Sequence, residues 1–511
     1  MRLEQLVAKA AEAEANLDFP KALNIYEDAL KLAPESLDIA ARLAFLAFRL
    51  NMWPMAEKLF SHLITHGMHD MPVITNYAAS LREQSKYDEA VDVLKTVISQ
   101  MPEESSLWEG LGAVMTAQGD GVNALTFFNE ALRLTPSNLH ARFNRGCALM
   151  DQGETDAGLE DLAACADAFD DPDNQASAQI AYAQALLTVN QLEAGWRAYE
   201  GRERYGTAKQ VHYAVWSRRW REGQSLAGSN LLVSAEQGLG DEVLFASVLP
   251  ELTRDIGPDG SLWLAVEPRL VPLFQRSFPD AKVIAHRTRI IDGLLQRSFP
   301  ELDSGATDGW ALMGDFLPLY RKTIDDFPNE NHFLKPASDR VDHWRRQMAA
   351  ISDKPKIGLL WKSLKSGAQR DRYFPPFEDM LGLLAHDDVT FINLQYGDSN
   401  SEVALAAQNG LTMHTPKGID LKDDLDDLAA LCSALDVVVA PSNATSNISA
   451  ACGVPTWLLS PGKGWLQLGT DHYPWYPTVR LFRPPAFDDW KPAMTDIKQA
   501  LSERFSLPKA L

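Results

Sequence analysis

At 511 residues the chain is too long for one hydrophobic core, and the usual size of a domain leads to an expectation of three folding units. Its 69 acidic against 48 basic residues give a net charge of -21, which argues against a general electrostatic grip on nucleic acid or anionic lipid. The opening residues hold no apolar signal core, and no apolar run approaches the roughly 20 residues a membrane helix needs, so a cytoplasmic protein without membrane insertion is expected.

In chain order, the first signal is self-similarity at a period of 34 residues. Ala22, Ala56, Ala90 and Ala124 keep that spacing, as do Tyr26, Phe60, Leu94 and Phe128, while Pro34, Pro102 and Pro136 mark repeat ends. This is the pattern of tetratricopeptide repeats: small Ala where two helices touch, an aromatic or Leu filling the groove, and Pro stopping the second helix. Trp108, Leu111 and Gly112 supply the first-helix signature of the fourth repeat, and Gly146 falls in the expected place of a degenerate fifth. With a further helix pair carrying EAGWRAYEGRERY, about six pairs are expected over residues 1–205, a solenoid whose inner face can hold a partner.

After Tyr205 the helical period breaks in a Trp-containing linker with Trp216 and Trp220. From Asn230 short Val/Leu/Ile runs alternate with helical segments, and the alternation restarts at KIGLLW (356–361) and continues through 389–395, 436–440 and 456–460. Strand, helix, strand in succession predicts parallel sheets covered by helices. Two doubly wound Rossmann-like lobes, residues 206–350 and 351–511, are therefore expected behind the helical array. Ligands of such sheets gather where the strands end.

Three of those turns carry polar residues. Gly238, Gly240 and Asp241 lie between the first strand and its helix, where glycines allow close backbone approach and Asp241 is either a helix cap or a reactive carboxylate. Lys362, Lys365, Arg370 and Arg372 follow the strand at 356–361 and form either a phosphate clamp or a solvated basic loop. Ser442, Asn443, Thr445, Ser446 and Asn447 open a helix, as caps or as a ligand loop. The run LKDDLDDLAAL is read as helix capping rather than a metal motif. Cys147, Cys165, Cys432 and Cys452 form no CxxC pair and are read as reduced and structural, so no metal and no cofactor is expected.

Together AEQGLGDEVLFASVLP, LLWKS, FINLQYGD, LDDLAALCSALDVVVAPSNATSNISAACGVPTWLL and HYPWYPTVRLFR resemble a bacterial family joining tetratricopeptide repeats to a GT-B glycosyltransferase, and more distantly the heptosyltransferases and O-linked N-acetylglucosamine transferases. The resemblance implies an inverting, metal-independent transferase that moves a sugar from a nucleotide-sugar donor to Ser or Thr of a protein acceptor such as flagellin, held by the repeats. It implies Asp241 as the base, with Lys362, Arg370, Arg372, Gln395 and the 442–447 segment at the donor. Within that segment Ser442, Asn443 and Asn447 replace the Asp, Thr and His of the commoner VDTxxAHLAG form. It further implies that the C-terminal helix from about Asp489 crosses back onto the first lobe. The alternatives are a transferase acting on a glycan or lipid-linked saccharide, and a non-catalytic scaffold or adaptor built on the repeats.

Overall fold

A computed structural model describes residues 3–203, 211–291, 294–330, 332–363, 373–486 and 489–505. Its first two hundred residues form six helix pairs: Leu3–Ala15 with Phe19–Leu32, Leu37–Arg49 with Trp53–Thr65, Met71–Glu83 with Tyr87–Ile98, Ser105–Gln118 with Gly121–Leu134, Leu139–Gln152 with Thr155–Cys165, and Pro172–Thr188 with Leu192–Tyr199. The first helices of the first five pairs start 34 residues apart. Local sequence sets these boundaries. Asp18, Asp120, Asn138 and Asp171 cap helix starts with side-chain oxygens that accept backbone N–H groups. Gly119 and Gly153, at φ of 81° and 83°, end first helices in the left-handed region that glycine adopts without penalty.

The periodic residues lie at the contacts between helices. Ala22, Ala56, Ala90 and Ala124 are fully buried, and so are Tyr26, Phe60, Leu94 and Phe128. A methyl group on Gly112 would sit 2.5 Å from the Phe128 ring, so glycine there is what lets the helices of the fourth pair close.

The rest of the described chain is α/β. In its first part the strands are β1 (Val211–Tyr213), β2 (Arg218–Arg219), β3 (Asn230–Ser234), β4 (Ser261–Val266), β5 (Ala281–Ala285), β6 (Arg287–Ile291), β7 (Leu294–Ser298) and β8 (Gly309–Leu312). They make a five-stranded sheet of order β2-β8-β3-β4-β5, parallel throughout, and a small sheet of order β1-β7-β6 in which β6 and β7 are antiparallel. The second part holds β9 (Lys356–Leu359), β10 (Thr390–Asn393), β11 (Met413–His414), β12 (Val437–Pro441), β13 (Thr456–Leu459) and β14 (Val479–Phe482), all parallel in the order β11-β10-β9-β12-β13-β14. The apolar runs predicted this sheet character because a strand covered on both faces reads as continuous Val, Ile and Leu. Four residues of β9 and five of β12 are all buried.

Array and sheets share one core. Trp196, on the last helix of the array, donates its indole N–H to the Arg321 carbonyl at 2.7 Å and packs edge-on against Trp465 and Trp475. One continuous cluster runs from Leu187, Trp196 and Tyr199 through Val233 and Phe245 to Val438 and Leu458. The C-terminal helix departs from expectation. Trp490–Phe505 stays with the second sheet, where Trp490, Ile497 and Leu501 pack with Ile357, Leu359 and Met380, and Ser502 meets His386 at 2.9 Å. Its apolar face is consumed there.

Candidate functional site

The turn after β3 and the turn after β12 pack against each other. Gly238 is the N-cap of the helix Leu239–Phe245, and Asp241, in the third helical position, accepts the Gly238 N–H at 3.1 Å. Asp241 thus satisfies the backbone N–H of the N-cap from the third helical position, with Gly238, which has no side chain to return the bond, as the cap itself. Gly240 brings its backbone against the start of the helix Ala444–Ala451. A methyl group on it would lie 3.3 Å from the Ala444 nitrogen, and Asn447 donates its amide to the Gly240 carbonyl at 3.0 Å.

Within the 442–447 segment, Asn443 caps that helix by accepting the Ser446 N–H at 3.2 Å, and the Ser446 hydroxyl accepts the Asn443 N–H at 2.9 Å. Thr445, Ser446 and Asn447 are buried, and Ser442 is exposed. Capping and the seam between the two parts therefore occupy Asn443, Ser446 and Asn447. Behind them sits Tyr473, whose hydroxyl pKa is pushed up by burial and further by the charge of Asp241, against an opposing contact with Ser442.

Lys362 and Gln395 leave the ends of the neighbouring strands β9 and β10. The buried Gln395 accepts the Lys362 N–H at 3.0 Å and donates to the Lys362 carbonyl at 3.1 Å, stitching the two turns together. The Lys362 ammonium forms an ion pair with Glu402. Burial raises the Glu402 pKa, but hydrogen bonds from Lys362 and Ser401 outweigh it and hold the carboxyl at about 2. Arg370 and Arg372 lie outside the described residues. A cavity of about 450 Å³ opens at the opposite, amino end of this sheet, among Val341, Leu435, Cys452 and Val454.

Several connections escaped the sequence pattern. Arg202, at the end of the array, is buried and bound to Glu236 and Asp315 of the first sheet region. Burial opposes its charge, but the two carboxylates hold its pKa well above the ordinary value. The acidic run does cap a helix: Asp424 accepts the Asp427 N–H at 3.1 Å. Its other members bind cations elsewhere, Asp426 on Arg276 and Asp427 on Arg340 with a further hydrogen bond from Trp344. The four cysteines are free, and burial pushes the Cys165 and Cys452 thiols up to about 11 and about 12, against thiolate formation. Among the described residues no group of three or more His, Cys, Asp or Glu side chains is placed to hold a metal ion.

A second candidate surface is the face formed by successive first helices of the array. Asn144 donates to Glu109 on the preceding first helix at 2.7 Å, and Glu109 feels the charges of His140 and, one repeat earlier, Arg82. Arg82 is paired with Glu83. Glu109 remains partly accessible, yet desolvation raises its pKa against those cations and the Asn144 hydrogen bond. Farther along, Phe45 is 36% exposed while its ring packs 5.3 Å from Phe60.

The tetratricopeptide repeat family model matches residues 78–138. The chain is 31% identical over 109 residues to the type IV pilus assembly protein PilF of Pseudomonas aeruginosa, covering 21% of this chain and 43% of PilF. It is also similar to the solved tetratricopeptide protein TTC0263 of Thermus thermophilus, at 19% identity and a TM-score of 0.30, over 35% of this chain and 98% of that one. Across almost its whole length it is 42% identical to Protein FlbA of Caulobacter vibrioides, over 97% of this chain and 83% of that protein. The whole-chain relationship to FlbA corrects the expectation of a GT-B glycosyltransferase family, and with it the enzymatic activity, the nucleotide-sugar donor and the flagellin acceptor. The geometry gives a physical reason for the misleading motifs, since the GLGD and 442–447 segments make helix caps and a packed seam while Lys362 is neutralised by Glu402. On the extent and level of that whole-chain identity, the chain belongs to the FlbA family.

Proposed function

We propose that this protein is a non-catalytic scaffold or adaptor whose tetratricopeptide array holds a segment of a partner polypeptide in the groove lined by its first helices. The observation that carries this reading is the row Arg82, Glu109 and Asn144 on three consecutive first helices, polar yet only partly solvated. Such a row offers both charges and hydrogen-bonding groups to an extended chain, and solenoids use their concave face in this way. The α/β portion serves as a rigid end-piece that caps the array through Trp196 and Arg202.

The division into residues 1–205, 206–350 and 351–511 belongs to this proposal, as does the finer description of the α/β portion as two doubly wound lobes set in the manner of the GT-B fold. Gly238, Gly240, Asp241 and the 442–447 segment are assigned to capping their helices and packing the seam between those lobes, and Lys362 and Gln395 to joining the turns after β9 and β10 within the second lobe. Among the described residues no helix is long and apolar enough to cross a membrane. A cytoplasmic setting is proposed on the four free cysteines.

The test is site-specific photo-crosslinking in cells, with the reactive residue at Phe45 or Asn144 in the groove and at Lys31 on an outer helix. A discrete crosslinked partner from the groove positions, lost on Arg82→Ala with Glu109→Gln and absent from Lys31, is expected. Equal labelling from all three positions, or none from the groove, would discard the reading.

A further inference from the structure

A second docking surface lies away from the array. The strand β6 (Arg287–Ile291) is the outer strand of the small sheet β1-β7-β6, and all five of its residues are exposed. An edge of this kind presents unpaired backbone groups to any extended chain. Alternation along a strand puts Arg287, Arg289 and Ile291 on one face. The hairpin is anchored to the body of the protein through the neighbouring strand, where Arg297, opposite Thr288, is buried, hydrogen-bonded to the Thr288 hydroxyl and the Ala235 carbonyl, and stacked over Tyr213.

Charged residues on an edge strand ordinarily guard it against aggregation. Guarding does not explain Ile290 and Ile291, which are 73% and 46% exposed beside the two arginines. Neither Arg287 nor Arg289 forms an ion pair with another described residue. On a chain of net charge -21 this is a local surface of the opposite sign. We propose that β6 is a docking strand for an extended acidic segment of another protein, which adds to the sheet edge by backbone hydrogen bonds and sets carboxylates against Arg287 and Arg289. A second copy of the same strand is a poor occupant: antiparallel self-pairing centred on residue 289 would set arginine against arginine, and like charges directly opposite are destabilising. This surface is separate from the groove of the array, so its test stands or falls independently.

The experiment uses the full-length protein and a fluorescein-labelled peptide of alternating Glu and Val, read by fluorescence anisotropy. Saturable binding is expected, weakened at least tenfold by Arg287→Glu with Arg289→Glu and several-fold by Ile291→Ser, and unchanged by Arg254→Glu at another exposed arginine. A Lys/Val peptide, and a Glu/Val peptide with Pro at alternate positions that cannot form the ladder, should not bind. Binding of either control peptide as tight as Glu/Val would overturn the proposal, as would indifference to the double charge reversal. A dimer of the protein that the same double variant dissolves would also overturn it.

Discussion

The Arg202 guanidinium grips the Glu236 carboxylate with two hydrogen bonds, Nε to Oε2 at 2.8 Å and Nη2 to Oε1 at 2.9 Å, inside the junction between helical array and first sheet. Glu236 accepts the Gly314 N–H at 2.9 Å as well, and Arg202 also binds Asp315 at 2.8 Å. The planar fork of arginine suits this bidentate arrangement, and a lysine would not reproduce it.

Removing one partner from a buried ion pair leaves the other charge desolvated and uncompensated. Arg202→Ala is therefore expected to destabilise the protein by about 3–5 kcal/mol. It should also split unfolding, so that the array melts before the sheets. Differential scanning calorimetry of the full chain checks both outcomes, and a single unshifted transition would contradict them.

At the seam between the two sheets, Gly240→Ala forces a methyl group against the Ala444 nitrogen and the Asn443 carbonyl carbon, backbone atoms that cannot turn aside. Overpacking of this kind costs about 1–3 kcal/mol. Asn447→Ala, which only removes the hydrogen bond to the Gly240 carbonyl, should cost about 1 kcal/mol. Because the two changes share one contact, their effects in urea denaturation should fall short of additive.

The Lys362–Glu402 pair predicts an acid-side dependence. The folded Glu402 pKa of about 2 lies below the ordinary carboxylate value, so its stabilisation is present above that value and lost as pH falls toward 2. Lys362 is 37% exposed, and with that screening the pair contributes about 1 kcal/mol at neutral pH. Lys362→Met should lower the melting temperature at pH 7 and converge with the parent near pH 2, followed by circular dichroism.

Glu109 predicts the opposite sign. Its raised pKa means the folded state holds the proton more tightly than the unfolded chain, so stability falls as pH rises through the ordinary carboxylate value and levels off above the folded one. Glu109→Gln keeps an acceptor for Asn144 and removes the desolvated charge. It should melt higher than the parent at pH 7 and match it below about pH 4, while weakening partner capture in the groove.

The helical array was legible because a single contact repeats. Ala56 against its neighbouring helix and Phe60 filling the groove recur every 34 residues, so each position can be read against the others. The sheet strands were legible because burial on both faces demands continuous apolar runs. The small sheet was not: β6, RTRII, has no alternation to betray it and is defined by pairing with β7. At the candidate site the sequence left two roles open. Glycine, Asp, Asn and Ser at a strand-to-helix turn serve a cap and a ligand equally well, and the choice depends on what faces them.

The sequence by itself determined the repeat period, the small and aromatic residues at the helix contacts, and the parallel character of both large sheets. These follow from local backbone chemistry and from side-chain periodicity, which act within a few residues. Only the tertiary structure decided that Lys362 faces Glu402, that Asn447 fastens onto Gly240, that Arg202 reaches Glu236 and Asp315, and that the C-terminal helix remains on the second sheet. Those partners lie tens to hundreds of residues apart, and whether a charge is free or satisfied depends on which group the packing brings within hydrogen-bonding distance.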